Sequence, residues 1–144
     1  MTIYLATDNA GFELKEKIKK FLVDSGHTVE DCGAHTLNPD DDYPDFIRIA
    51  AEKVAKNPGS RGIILGGSGQ GEAMVANRVL GIRATVFYGF SQEIITLSRT
   101  HNDANILSLG SRFLTINEAT EAVQLWLSTA FSEDPRHKRR IAKF

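Results

Sequence analysis

Five short strand-like runs, separated by stretches of helical period, are the feature that most narrows what this chain can fold into. T-I-Y-L-A-T (residues 2–7), T-V-E-D-C (28–32), G-I-I-L-G (62–66), R-A-T-V-F-Y (83–88) and N-I-L-S-L (105–109) read as strands. G-I-I-L-G is apolar throughout, as a strand covered on both faces must be. From Gly11 to Ser25 the residues Phe12, Ile18, Phe21 and Leu22 recur at helical spacing, with Glu13, Lys15, Glu16, Lys17, Lys19 and Lys20 mostly opposite and Gly26 as a stop. A second helix is expected from Asp45 to Ala55 with Phe46, Ile49, Ala50 and Val54 inward. E-A-M-V-A-N-R, S-Q-E-I-I-T-L-S-R and N-E-A-T-E-A-V-Q-L-W-L supply three more helices. Such alternation predicts an α/β fold, a five-stranded parallel sheet with helices on both faces. Ligands of such sheets bind beyond the carboxyl ends of the strands, where Asp8-Asn9, the glycine run 66–71 and the stretch around Arg112 fall.

With 144 residues, 42% of them hydrophobic, the chain is expected to form one domain, 1–144. Its formal net charge of -1 gives it no overall attraction to nucleic acid or to an anionic membrane. No apolar stretch approaches the length of a membrane span and no leader is visible, so the expectation is a cytoplasmic protein. The single cysteine, Cys32, excludes an internal disulfide and a multi-cysteine zinc site, and reads as a packing residue at a strand end. His27 and His35 stand alone in turns. The run Asp40, Asp41, Asp42 lacks the glycine and distal glutamate of a calcium loop and reads as a solvated turn, so no metal site is expected.

The run I-L-G-G-S-G-Q-G-E-A-M, residues 64–74, is the main chemical signal. A phosphate loop of the Walker type needs Gly-Lys-Ser/Thr, and here Gly71 is followed by Glu72 and Ala73. A dinucleotide fingerprint needs G-x-G-x-x-G after the first strand, and Gly67, Gly69 and Gly71 have the wrong interval after the third. A tight turn explains one or two glycines but not this density. Backbone N–H groups at Ser68, Gly69 and Gly71 are instead suited to an anion that exists only during reaction, such as an enediolate, with Glu72 as the base that creates it.

Two further stretches carry reactive groups. In H-N-D-A-N, residues 101–105, His101 is either a helix-end partner or the group that moves the hemiacetal proton of a cyclic sugar. The tail P-R-H-K-R-R-I-A-K-F is either a solvated helix end or part of a phosphate clamp. If it is helical, Arg136 and Arg140 share a face at i, i+4, and with Arg112 they supply three guanidinium groups for one dianion.

A-T-D-N-A-G-F-E-L-K, D-D-D-Y-P-D, L-G-G-S-G-Q-G-E, A-N-R-V-x-G-I-R-A, H-N-D-A-N and R-H-K-R-R-I occur in this order over nearly the whole chain. Together they resemble the ribose-5-phosphate isomerase B family. The resemblance implies a Rossmann-like αβα sandwich and a homodimer, open to further pairing as a tetramer, with active sites at the subunit interface. It also implies a cofactor-free aldose–ketose isomerase acting on a small sugar phosphate, with no nucleic acid or membrane partner. Carried over, Glu72 resembles the base that moves a proton between C2 and C1, and His101 the ring-opening acid/base. Asp8, Asn9 and the loop Gly67, Ser68, Gly69, Gln70, Gly71 resemble the sugar-binding residues. Asn102, Arg112, Arg136 and Arg140 resemble the other substrate contacts, with the basic tail 133–144 reaching the partner subunit.

Many members use a cysteine at the position of Gly66, so this chain resembles the glutamate branch. The family also usually has Asp-His where this chain has Asp8-Asn9, and Asn9 offers an amide hydrogen bond but never a charge. The rival reading with the same chemistry is an isomerase of a tetrose 4-phosphate or hexose 6-phosphate. A sugar-phosphate sensor would have no use for Glu72. A receiver module would need an acid after the third strand and a lysine after the fifth, where Gly66 and Gly110 stand.

Overall fold

A computed structural model describes residues 1–144. Five strands, β1 (Thr2–Thr7), β2 (Thr28–Asp31), β3 (Arg61–Gly66), β4 (Ala84–Phe87) and β5 (Ile106–Gly110), pair entirely in parallel in the order β2-β1-β3-β5-β4. The helices are α1 (Phe12–Asp24), α2 (Tyr43–Lys56), α3 (Gln70–Ala76), α4 (Glu93–Thr100), α5 (Ile116–Ser128) and α6 (Pro135–Ile141). The α/β sheet expected from the alternation is therefore formed, with helices on both faces.

Strand periodicity divides the core. Ile3, Leu5, Ile63, Leu65, Leu107 and Leu109 point to one face and pack with Ile18 and Leu22 of α1, Ile95 of α4 and Trp126 of α5. Their alternates Tyr4, Ala6, Ile64 and Ile106 point to the other and pack with Ile47, Ala50, Ala51 and Val54 of α2. Because β5 lies inside β4, the connection turns back across the sheet, and a right-handed crossover then requires α4 on the face opposite α3. The strand order reverses between β1 and β3, so a crevice opens there at the carboxyl ends, between Asp8 and the glycine loop.

Two side chains lie elsewhere than the pattern predicted. Ile49 is exposed and Ile47 is buried, because the stripe facing the sheet is Ile47, Ala50, Ala51, Val54 and Ile49 stands off it. Lys15, expected on the solvent face of α1, is fully buried one turn before Ile18. Its Nζ donates to Asp31 Oδ1 and Oδ2 at 2.7 and 2.8 Å and to the Ala34 carbonyl at 2.7 Å. Cys32 is buried as a packing residue, and burial pushes its thiol up to about 11.

The Lys15–Asp31 pair also positions the crevice. Asp31 Oδ1 accepts from Gly33 N–H, Gly33 O accepts from Thr7 N–H, and Thr7 O accepts from Ala34 N–H, which holds the residue before Asp8. Burial alone would raise the Asp31 carboxyl, but hydrogen bonds from Lys15 and Lys19 hold it at about 2. The stabilisation is thus complete above pH 4 and is lost as pH falls toward 2. Asp31→Asn is expected to destabilise the protein by about 3 kcal/mol at neutral pH, because a buried ammonium loses its charged partner while Glu16 compensates only in part. Urea unfolding of both proteins checks it, and the gap should narrow between pH 4 and pH 2.

Candidate active site

The glycine loop joins β3 to α3 in three residues. Gly69 has φ 77°, which favours glycine, and a Cβ there would also press on Leu109 and Gly110 of the neighbouring strand. The N–H groups of Ser68, Gly69 and Gly71 find no acceptor in the protein, while Gln70 N–H bonds to Ser68 Oγ at 3.3 Å. Three backbone donors are thus left free at a strand end.

Glu72, in the first turn of α3, is 4% exposed, and its carboxylate has no hydrogen-bond or ion-pair partner on another side chain. A Cβ at residue 66 would overlap that carboxylate, so glycine at the end of β3 is what admits it. Burial raises its pKa, and the charge of Asp8 adds to the effect. Asp8 is itself largely buried and caps the turn Asn9–Gly11, with Oδ1 accepting from Ala10 N–H at 2.9 Å. Burial raises Asp8 above its ordinary range, and the nearby Asp41 adds to this.

Arg112 lies over the loop, its Cζ 3.2 Å from where a Cβ of Gly67 would stand, and Tyr43 Oη is 2.6 Å from the corresponding point on Gly71. The loops of β3 and β5 are tied by Ser111 N–H to Gly66 O at 2.8 Å and Arg112 N–H to Gly67 O at 3.1 Å. The reading of Asp40–Asp42 as a wholly solvated turn is corrected here. Asp41 accepts from Asn9 N–H at 3.0 Å and Asn9 Nδ2 at 2.8 Å, because the loop before α2 folds back over the end of β1.

The other predicted residues gather at the opposite end of the sheet. His101 closes α4, and Asn102 and Asp103 lead into β5 from its amino end, where Arg83 Nε donates to both their carbonyls. The tail is helical, so Arg136 and Arg140 do share α6. His137, between them, is buried and stacks on His101 with ring centroids 4.2 Å apart and planes at 21°. Burial and the neighbouring His101, Arg136 and Arg140 lower its pKa despite the opposing pull of Asp134.

This geometry places Arg112 apart from Arg136 and Arg140 within one chain. Arg112 stands at the carboxyl end of β5 and α6 packs at its amino end, and the five residues of that strand separate the two ends by about 16 Å. Glu72 and His101 are parted in the same way. Asp8, Asn9, Gly67–Gly71, Glu72 and Arg112 thus form one half, and His101, Asn102, Arg136 and Arg140 the other. His137, Asp41 and Tyr43 were not singled out by sequence reasoning. His137 lies inside R-H-K-R-R-I, and Asp41 and Tyr43 lie inside D-D-D-Y-P-D, but nothing local set them apart from their neighbours. A cavity of about 550 Å³ adjoins the loop, lined by Ser68, Gln70, Tyr88, Phe90 and Phe113.

A buried carboxylate without a partner, beside converging amide donors at a strand end, is equipment for acid–base chemistry through a transient oxyanion. Comparison with known proteins agrees. Residues 3–144 match the Ribose/Galactose Isomerase family. Ribose-5-phosphate isomerase B of Mycolicibacterium paratuberculosis is 45% identical over 141 residues, 98% of this chain and 87% of that protein. The Clostridium thermocellum ribose-5-phosphate isomerase B structure superposes with a TM-score of 0.93 at 40% identity, covering 99% of this chain and 94% of that one. The Mycoplasma genitalium enzyme, solved with bound ribulose-5-phosphate, gives 0.93 at 38% identity, with coverage of 99% and 92%. This chain belongs to the Ribose/Galactose Isomerase family.

The buried Glu72 carboxylate carries a cost in stability. Its raised pKa means the folded state binds the proton more tightly than the unfolded chain, so wild-type stability rises as pH falls through that range. Glu72→Gln is expected to raise the melting temperature at pH 7 by about 2–4 °C. Calorimetry at pH 7 and pH 4.5 checks it, since the difference should shrink at the lower pH.

Proposed function

We propose that the protein interconverts ribose 5-phosphate and ribulose 5-phosphate through an enediolate, with Glu72 as the base. The observation that carries this reading is the carboxylate of Glu72, buried over Gly66 with no partner on another side chain, beside the free amides of Ser68, Gly69 and Gly71. Glu72 removes the C2 proton of the open-chain aldose, and the electron pair moves to the carbonyl oxygen, where the amides receive it. The proton on O2 then passes to O1, the electron pair returns from O2 as C2=O forms, and protonation at C1 by the same carboxyl group gives the ketose and restores the base. The proton transfer itself uses only Glu72 and the loop amides and calls on no cofactor. The name and bound sugar of the similar Mycoplasma genitalium enzyme support the choice of substrate.

The site is completed by a second copy. One domain, 1–144, carries both halves, and the tail 133–144 reaches across to the partner. His101 of the second copy opens the cyclic sugar by moving its hemiacetal proton, and Asn102 stands beside it. Arg136 and Arg140 of that copy join Arg112 around the phosphate. The separation of the two halves along β5 supports this arrangement, because a small sugar phosphate cannot reach both within one chain. A lone buried thiol suits the reducing cytoplasm as the place of action.

Glu72→Gln is expected to lower kcat on ribose 5-phosphate at least about 100-fold while the sugar still binds, as for loss of a general base. Unchanged turnover would remove Glu72 from the role. Glu72→Gln and His101→Asn proteins, each inactive on ribose 5-phosphate, should recover about a quarter of wild-type activity after subunit exchange, since half the dimers then carry one intact site. No recovery would place both groups in one chain.

A further inference from the structure

The turn that carries His101 and Asn102 from α4 into β5 is held by one carboxylate. Asp103 follows them with φ 46°, in the left-handed region that few residues other than glycine, asparagine and aspartate enter. Such a turn persists only where contacts hold it, and Asp103 has them on both carboxylate oxygens. Oδ1 accepts from Arg99 Nη1 at 2.8 Å and Oδ2 from Arg83 Nη2 at 2.9 Å. The same two guanidinium groups also grip the backbone of the turn. Arg83 Nε donates to the Asn102 and Asp103 carbonyls at 3.1 and 2.9 Å, and Arg99 Nη1 to the Ala104 carbonyl at 2.6 Å.

Three segments meet at this carboxylate. Arg83 comes from the amino end of β4, where its own N–H donates to Asn105 Oδ1 at 2.8 Å. Arg99, in the last turn of α4, is 5% exposed, and its Nε donates to the Thr129 carbonyl at 3.1 Å. Beside that bond, Ser132 N–H donates to the Thr100 carbonyl at 3.2 Å. Both tie α4 to the segment leading into α6, which carries Arg136, His137 and Arg140. The stack of His101 on His137 therefore depends on where Arg99 is held. Arg61 and Arg99 lie over the same Trp126 ring, 5.2 and 5.8 Å from its centroid. No other carboxylate pairs with Arg61, Arg83 or Arg99, so Asp103 is the one countercharge among three arginines.

We propose that Asp103 is a positioning residue for the reaction. It touches no reacting atom, but by gripping Arg83 and Arg99 it fixes the turn that presents His101 and Asn102 and keeps that turn in register with α6. This rests on the reading of His101 as the ring-opening group and deepens it by naming what holds the imidazole in place. A group that moves a proton has to keep its place, and a shift of about 1 Å costs on the order of 100-fold in rate. Glu72 stands at the other end of the sheet, outside the network.

Asp103→Asn tests the role, since asparagine keeps the size and tolerates positive φ but removes the charge. At saturating ribose 5-phosphate, kcat should fall about 10- to 100-fold. In the His101→Asn background the same substitution should cost no more than about threefold further, because the group it positions is already gone. In deuterium oxide, exchange of the C1 hydrogens of ribulose 5-phosphate should stay within about threefold of wild type, because an open-chain ketose needs no ring opening. In that exchange Glu72 removes a C1 proton, trades it with solvent and returns a deuteron to C1. Arg83→Lys, which keeps the charge but loses the fork, should show the same pattern and decides the matter if Asp103→Asn does not fold.

Equal losses in isomerisation and in C1 exchange would give Asp103 a merely structural role and overturn the proposal. So would an Asp103→Asn protein that melts like wild type and turns over ribose 5-phosphate at the wild-type rate. Costs that multiply in the His101→Asn background, with His101→Asn itself impaired, would remove the positioning role and leave the reading of His101 standing. A fully active His101→Asn protein would instead remove that reading, and the positioning role with it.

Discussion

The ladder between β3 and β5 is the interaction on which the rest of this protein depends. Its register sets Gly62 opposite Ile106 and Gly66 opposite Gly110, so both strands finish level. Level ends bring the glycine loop and the Arg112 loop into contact through backbone hydrogen bonds. The same ladder is parallel, so whatever follows a strand lies at one end of the sheet and whatever precedes it lies at the other. Glu72 follows β3, and His101 precedes β5. Their separation is a consequence of strand polarity.

Two buried charges show how differently one fold treats ionised groups. Lys15 is fully enclosed but meets a carboxylate and a carbonyl at hydrogen-bond distance, so its charge is compensated where it stands. Through Asp31, Gly33 and Thr7 it steadies the end of β1 where Asp8 begins. Glu72 is nearly as well buried and meets no such partner. A compensated carboxylate would have its pKa lowered, whereas burial above Gly66 without a countercharge raises that of Glu72. The fold spends its complementary charges on the scaffold and withholds them from the site.

Much of this was legible along the chain. The alternation of strands and helices appears as local hydrophobic period, and the glycine loop with its glutamate is contiguous, so its chemistry could be read without coordinates. Less local facts escaped. Ile47 rather than Ile49 faces the sheet because both lie on apolar stripes of one helix and only the partner surface selects between them. Lys15 read as solvated because its partner, Asp31, lies across α1 on another strand. Asp41 looked like one of three equivalent acids until the loop carried it to Asn9, thirty-two residues away. His137 looked like one more basic residue until α6 stacked it on His101.

The sequence by itself determined the class of fold and the run of glycines that ends in Glu72, since these rest on interactions between residues a few positions apart. It also carried the family, because the motifs occur in order over nearly the whole chain. The tertiary structure alone decided which of those residues share an end of the sheet, and it set Arg112 at one end and Arg136 and Arg140 at the other. It also turned the Asn9 amide toward Asp41. Each of these depends on contacts between segments distant in sequence, and no local pattern of side chains encodes where such segments meet.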